Sequence, residues 1–209
     1  MNRIVVVGGG GHAKVLISVL KKLGREAIGY TDRVDHGAIL GLLFLGDDAV
    51  LKMLRDTNRA GDAVLGLGKT KASDERLLLA ARVEALGFSF PVVISPCAIV
   101  NEEVGLGSGT VVFDGAVINS GVVTGSHCVL NTHCTVEHDC ALGDDVHIAP
   151  GAVLSGDVTV GDHSMIGAGA TIAHGVSICP GCLVGAGSTV VKNIVLPGTY
   201  VGNPARRLP

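Results

Sequence analysis

Tryptophan is absent, and aromatic residues make up only 3% of the 209-residue chain. A core with so few rings must be built from aliphatic side chains, which the 47% hydrophobic content supplies. Long apolar runs are missing too. The opening "RIVVVGG" is too short for a signal-peptide core and runs straight into a turn, and nothing approaches the ~20 apolar residues of a membrane span. An excess of one charge is likewise missing. The net charge is −3 with both signs interspersed, so there is no basic stripe for nucleic acid and no polybasic tail for a membrane surface. These absences predict a soluble, cytoplasmic protein that binds neither nucleic acid nor membrane. Its six cysteines are expected as reduced thiols.

What is abundant is glycine, at 31 residues, and it is used in two different rhythms. Residues 1–90 alternate strand and helix signals. "RIVVVGG" reads as a buried strand. "GHAKVLISVLKKLG" reads as an amphipathic helix ended by Gly24, and "REAIGYTD" as a second strand. "GLLFLG" is ambiguous, "DDAVLKMLRD" helical with acidic residues in its first turn, and "AVLGLG" a further strand. "ASDERLLLAARVEALG" reads as a helix capped by Ser73 and closed by Gly87. The order argues a small parallel, Rossmann-like α/β domain.

From Ile94 every sixth residue is aliphatic as far as Val190, with Thr124 the lone departure. Four residues after each comes a small or β-branched residue, a series that includes Cys128, Cys134, Cys140 and Cys182. Glycine is common directly after the aliphatic position, as at Gly107, Gly125, Gly143 and Gly161, where it is expected to help the chain turn. An unbroken period of this length is a repeat architecture. It matches the hexapeptide repeat, in which three hexads close one triangular coil of a left-handed parallel β-helix, here over 91–209. The aliphatic residues then point inward. The cysteines belong to the interior series, where a thiol behaves as a small hydrophobe, and residues six apart occupy successive faces instead of converging on a metal.

Three segments, "VVVGGGGHAKV", "NTHCTVEHDCALGDDVHIAPGAVLSG" and "YVGNPARRL", together resemble bacterial nucleotide-sugar acetyltransferases over essentially the whole chain. These enzymes acetylate the amino group of UDP- or dTDP-linked 4-amino-deoxy sugars, and sialic-acid O-acetyltransferase-like proteins are relatives. The resemblance implies a homotrimer, with acetyl-CoA as co-substrate along the β-helix between subunits, a nucleotide sugar on the N-terminal domain, and no metal.

The resemblance also assigns roles. His138 is the general base and Asp139 its partner, where many relatives carry Glu. Chemically, a histidine with an unperturbed pKa near 6.5 suits removal of a proton from an attacking amine at neutral pH. His147 is implied in an acetyl-CoA or amine contact. It lies nine residues from His138, half a coil, so one site using both must combine two subunits. Gly156 stacks one coil over His138 and matches a glycine whose N–H meets the thioester carbonyl. Ala168 and Ala186 are implied along the pantetheine arm, with Pro204 and Arg206 near the nucleotide end of CoA. Asn131 matches a residue near the acceptor sugar; it reads equally as a polar corner residue.

In the N-terminal half, Gly8, Gly10 and Ala13 satisfy G-x-G-x-x-A, a geometry that suits any nucleotide diphosphate at a helix N-terminus. Gly10, Gly11 and His12 are expected to approach the substrate, Asp32 and Arg33 the base or ribose, and Gly68 and Lys69 the same crevice. Lys69 reads equally as a solvated loop lysine. His127, His163 and His174 are expected at the surface or lining a groove, with His174 roughly 10 Å from His138 at two coil spacings. Competing readings are a zinc-dependent β-helix carbonic anhydrase using His133, His138 and a third ligand such as His163, a nucleotide-sensing scaffold, and O-acetylation of a sialic-acid type acceptor.

Overall fold

The structure is a computed structural model that describes residues 3–209. The chain divides into two compact units: the chain through Gly68 with Glu75–Pro96, and Lys69–Asp74 with Cys97–Pro209.

The first unit contains β1 (Ile4–Val7), α1 (Gly11–Lys22), β2 (Ala27–Thr31), β3 (Phe44–Gly46), α2 (Val50–Asp56), β4 (Asp62–Leu65), α3 (Glu75–Ala85) and β5 (Val93–Ile94). Strands β1 to β4 form a parallel sheet in the order β3-β2-β1-β4. All four side chains of β1 are buried, as a parallel sheet covered on both faces requires. Helix α1 buries Ala13, Leu16, Ile17, Val19 and Leu20 and carries Lys21 and Lys22 in its last turn, where cations oppose the helix dipole. Gly24 adopts φ +64° just past its end. The ambiguous "GLLFLG" supplies strand β3. Two helix starts differ from expectation. The first turn of α2 holds no acidic residue; Asp47 precedes the helix and accepts from the Ala49 N–H at 3.0 Å. Helix α3 begins at Glu75, so Ser73 lies two residues outside it, in the segment that packs with the second unit.

The second unit is the left-handed parallel β-helix. Its faces are parallel ladders of two-residue strands in register at 18-residue intervals, for example Val129 with His147, Thr135 with Val153 and Ala141 with Thr159. The core holds Ile118, Leu130, Val136, Ile148, Leu154, Ile166 and Ile172 at 0% exposure. Burying each such side chain contributes about 1.5–3 kcal/mol. Ile94 is a correction to the inward series: it is 36% exposed.

The interior cysteines, all four buried, add polar bonds to that packing. The Cys128 thiol donates to the Gly143 carbonyl at 3.0 Å and Cys140 to that of Ser155 at 3.2 Å. Thr110 and Ser164 make the equivalent bonds, also fifteen residues on, to Gly125 and Cys179. Thr110, Cys128 and Ser164 occupy the same corner of different coils, and there a thiol takes the place of a hydroxyl. Burial pushes the Cys134 thiol up to about 12, which leaves it inert.

The turning residue is not the one the sequence indicated. Left-handed backbone falls three residues after each position of the inward series from Val100 to Val184, at Glu103, Gly109, Gly115, Gly121, His127, His133, Asp139, Asp145 and onward to Gly187. The glycine directly after the aliphatic residue serves close stacking: a Cβ on Gly143 would lie 2.0 Å from the Asp162 carboxylate of the next coil.

Candidate active site

The corner following the Thr135–Val136 strand gathers the chemistry. Asp139 holds φ +61° there, a conformation that Asp tolerates better than most residues. Its N–H donates to the Ser120 carbonyl, while Asp157 donates to that of His138, so the corner is tied to the coils on both sides. The Asp139 carboxylate folds back over Gly121, where a Cβ would come within 2.6 Å of Oδ1. His138 Nδ1 lies 2.8 Å from Asp139 Oδ2. The shorter acid therefore reaches the ring. With Nδ1–H donated to the carboxylate, the neutral tautomer leaves the Nε2 lone pair available. That nitrogen lies over Gly156, where a Cβ would sit 2.5 Å away. Among the described residues no acceptor engages the Gly156 N–H.

The His138 pKa is raised. The Asp139 hydrogen bond is the largest cause, desolvation opposes it, and the charges of Asp139, Glu137 and Asp157 add to it. Glu137 is fixed by a polar ladder along the same corner: Asn101 donates to Asn119 at 2.6 Å, and Asn119 to Glu137 at 2.7 Å. His174 corrects the expectation of a distant neighbour. Its ring centroid is 6.4 Å from that of His138, because Gly156 between them leaves the rings room to lean together.

The other expected residues stand elsewhere on the prism. His147 lies on the Val129–His147–Met165 face, 5% exposed. Its Nε2 accepts from Asn131 Nδ2 at 3.0 Å, and Thr132 N–H donates to Asn131 Oδ1 at 2.8 Å, which fixes the amide's orientation. Ala168 and Ala186 are exposed and one coil apart, with Gly187 N–H bonded to the Ala168 carbonyl, on the corner that also holds Asn131. Within one chain, then, His138, Asp139 and Gly156 share one edge while Asn131, Ala168 and Ala186 share another. Arg206 is exposed in the antiparallel hairpin Gly198–Gly202 with Ala205–Arg207.

Lys69 does not have the exposed ammonium expected of a crevice lysine. Its side chain is 2% exposed, and Nζ meets the Asp145 backbone oxygen at 2.7 Å and Asp145 Oδ2 at 2.6 Å, in the second unit. His127 is also a correction: it is 4% exposed, not a surface residue, because its ring folds over Gly109 one coil earlier. His163 is half-buried, its Nδ1 3.9 Å from Asp145 Oδ2. Among the described residues no three His, Cys, Asp or Glu side chains gather to hold a metal.

In the first unit a cleft of about 760 Å³ opens at the carboxyl ends of the strands, lined by Gly8, Thr31, Asp32, Arg33, Asp48 and Arg82 among others. Asp32 braces the glycine loop, accepting from Gly9 N–H at 2.6 Å and Arg33 N–H at 2.6 Å. Burial would raise its carboxyl, but the bonds from Gly9, Arg33 and Val34, with His36 nearby, hold it below the ordinary value. Gly10 and Gly11 line a second cleft of about 560 Å³ with Lys14 and His36. Lys14, a cation beside a helix N-terminus, escaped the sequence reading because it has no motif of its own. Gly68 packs against His12, a Cβ there meeting His12 Cβ at 3.2 Å. Among the described residues no helix is long and apolar enough to cross a membrane.

Two family descriptions match: PglD N-terminal domain over residues 3–73, and bacterial transferase hexapeptide (six repeats) over 121–156 and 157–192. No curated protein matches. Among solved structures, the acetyltransferase domain of PglB from Neisseria gonorrhoeae FA1090 is 32% identical with a TM-score of 0.91, covering 100% of both chains. PerB from Caulobacter crescentus, in complex with CoA and GDP-perosamine, is 34% identical with a TM-score of 0.94, covering 100% of this chain and 98% of that one. WeeI from Acinetobacter baumannii AYE is 25% identical with a TM-score of 0.78, covering 98% and 99%.

Proposed function

The chain belongs to the bacterial nucleotide-sugar acetyltransferases of the hexapeptide-repeat family, and from that premise we propose that it transfers the acetyl group of acetyl-CoA to the amine of a nucleotide-linked 4-amino-deoxy sugar. The observation that carries this reading is the His138–Asp139 pair at 2.8 Å, with Nε2 facing the Gly156 backbone. Neutral His138 accepts the amine proton at Nε2 as the amine nitrogen bonds to the thioester carbonyl carbon, and Asp139 stabilises the cation that forms. The Gly156 N–H donates to the developing oxyanion. Collapse of the tetrahedral intermediate breaks the carbon–sulfur bond, and the CoA thiolate takes the proton from His138.

The nucleotide sugar binds the first unit, with its diphosphate at the glycine loop. Asp32 acts there chiefly by bracing the loop, and Arg33 lines the larger cleft. His147 and Asn131 act as one hydrogen-bonded pair toward the co-substrate and acceptor, and Ala168 and Ala186 follow the pantetheine arm.

The division of these residues between two edges supports a homotrimer with sites between subunits. So does the composition of the His138-side face. Its outward column runs Ile99, Val117, Thr135, Val153, Thr171 and Thr189 with no charge, and Ile99 is 57% and Val153 36% exposed. An uncharged exposed column of this kind fits burial against another copy.

The test is CoA release from acetyl-CoA against UDP-, dTDP- and GDP-linked 4-amino sugars, with neuraminic acids as hydroxyl acceptors. Turnover with an amino sugar is expected. Turnover with the neuraminic acids alone would replace N- by O-acetylation.

A further inference from the structure

One coil of the β-helix carries two thiols that acetyl transfer does not use. Cys179 follows the inward Ile178, and Cys182 belongs to the interior small series; Pro180 and Gly181 separate them. Gly181 takes φ +72°, and the turn brings the two sulfurs to 3.5 Å. The backbone is fixed on both sides. Cys179 N–H donates to the Ile194 carbonyl at 2.9 Å, and Cys182 N–H donates to Ser164 Oγ at 3.1 Å while its strand pairs with Gly198. Access differs: Cys182 is buried and Cys179 partly exposed. The sulfurs need to approach by about 1.5 Å to reach bonding distance. Cys128 and Cys140 donate to backbone carbonyls at 3.0 and 3.2 Å, whereas the carbonyl contacts of the Cys182 thiol are longer, 4.0 Å to Pro180 and 3.8 Å to Leu196. Among the described residues no further ligands join the pair to make a metal site.

We propose that Cys179 and Cys182 form a reversible dithiol–disulfide site, closed by exchange with a low-molecular-weight disulfide such as oxidised glutathione. The Cys179 thiolate attacks one sulfur of that disulfide and releases the first thiolate. The Cys182 sulfur, losing its proton, then attacks the Cys179 sulfur and expels the second. Two cysteine thiols are oxidised, one external disulfide is reduced to two thiols, and the two cysteine protons end on those thiols. The order of attack follows from access and charge. Burial pushes the Cys182 thiol up, and the hydrogen bond and charge of Cys179 add to this, so Cys179 reacts first and Cys182 resolves once its neighbour's charge is gone. The closed form staples the turn beside the Gly198–Gly202 strand that leads out of the coils.

The experiment uses the full chain with the exposed Cys97 replaced, C97S, leaving five cysteines. After incubation with excess oxidised glutathione, the protein is denatured, alkylated and weighed. The expected result is loss of two alkylatable thiols, a cross-linked peptide joining Cys179 to Cys182, and full recovery with dithiothreitol. Adding C182S halts the reaction at a glutathione adduct on Cys179, and adding C179S prevents any adduct. Five alkylated thiols after oxidation, a persisting adduct on Cys179 while Cys182 is present, or a cross-link to any other cysteine overturns the proposal. The outcome is independent of which acceptor the enzyme acetylates.

Discussion

His138 and Asp139 illustrate how one side chain sets another's chemistry. Only the neutral imidazole can take a proton, and the Asp139 bond raises the pKa of the ring. We therefore expect kcat/KM to fall as pH drops through that raised value. Asp139→Asn removes the largest raising cause, so the acidic limb should move to lower pH while kcat falls, the base being weaker. His138→Ala should cost roughly 10²–10⁴-fold in kcat/KM, the usual worth of a positioned base, without loss of the folded assembly. Steady-state rates across pH check both, and an acidic limb that stays in place in Asp139→Asn removes Asp139 as the partner. The resemblance singled out both residues, and the structure brings their side chains to 2.8 Å. The support of the pair was legible only in part: the 18-residue offset set Gly156 over His138, but nothing in the sequence marked Gly121, one coil earlier, as the glycine that makes room for Asp139.

Coils and connecting segments raise a different question, that of what holds a corner. The 69–74 segment is anchored on the β-helix by a fully buried ion pair, Lys69 with Asp145, whose side chains are 2% and 0% exposed. Lys69→Met takes the ammonium away from the buried Asp145 carboxylate, and breaking a buried pair in this way costs about 3–5 kcal/mol. We expect that loss in urea denaturation, with part of it restored in the double variant with Asp145→Asn. A change within error would mean that water or another donor replaces the ammonium. The hexad period foretold the inward residues well because each coil repeats the same three turns. It misplaced the turning glycine because close stacking and left-handed backbone both select glycine, and sequence alone does not separate them.

Assembly is where the reading of the active site is most exposed to test. The uncharged outward column on the His138-side face predicts that Val153→Glu, which puts a charge where another copy would pack, converts the assembly to monomers with little acetyl transfer. Sedimentation of the wild type is expected at three times 21.2 kDa. A fully active monomeric variant would place the whole site within one chain.

By itself the sequence determined the two rhythms, the β-helix and the interior cysteines. A coil of fixed length converts an interval in sequence into a position in space. Only the tertiary structure decided that His174 leans to 6.4 Å from His138, that Lys69 is buried on Asp145, that His127 is covered and that Asp139 reaches the ring. These depend on side-chain torsions and on contacts between segments far apart in the chain, and neither leaves a period to read.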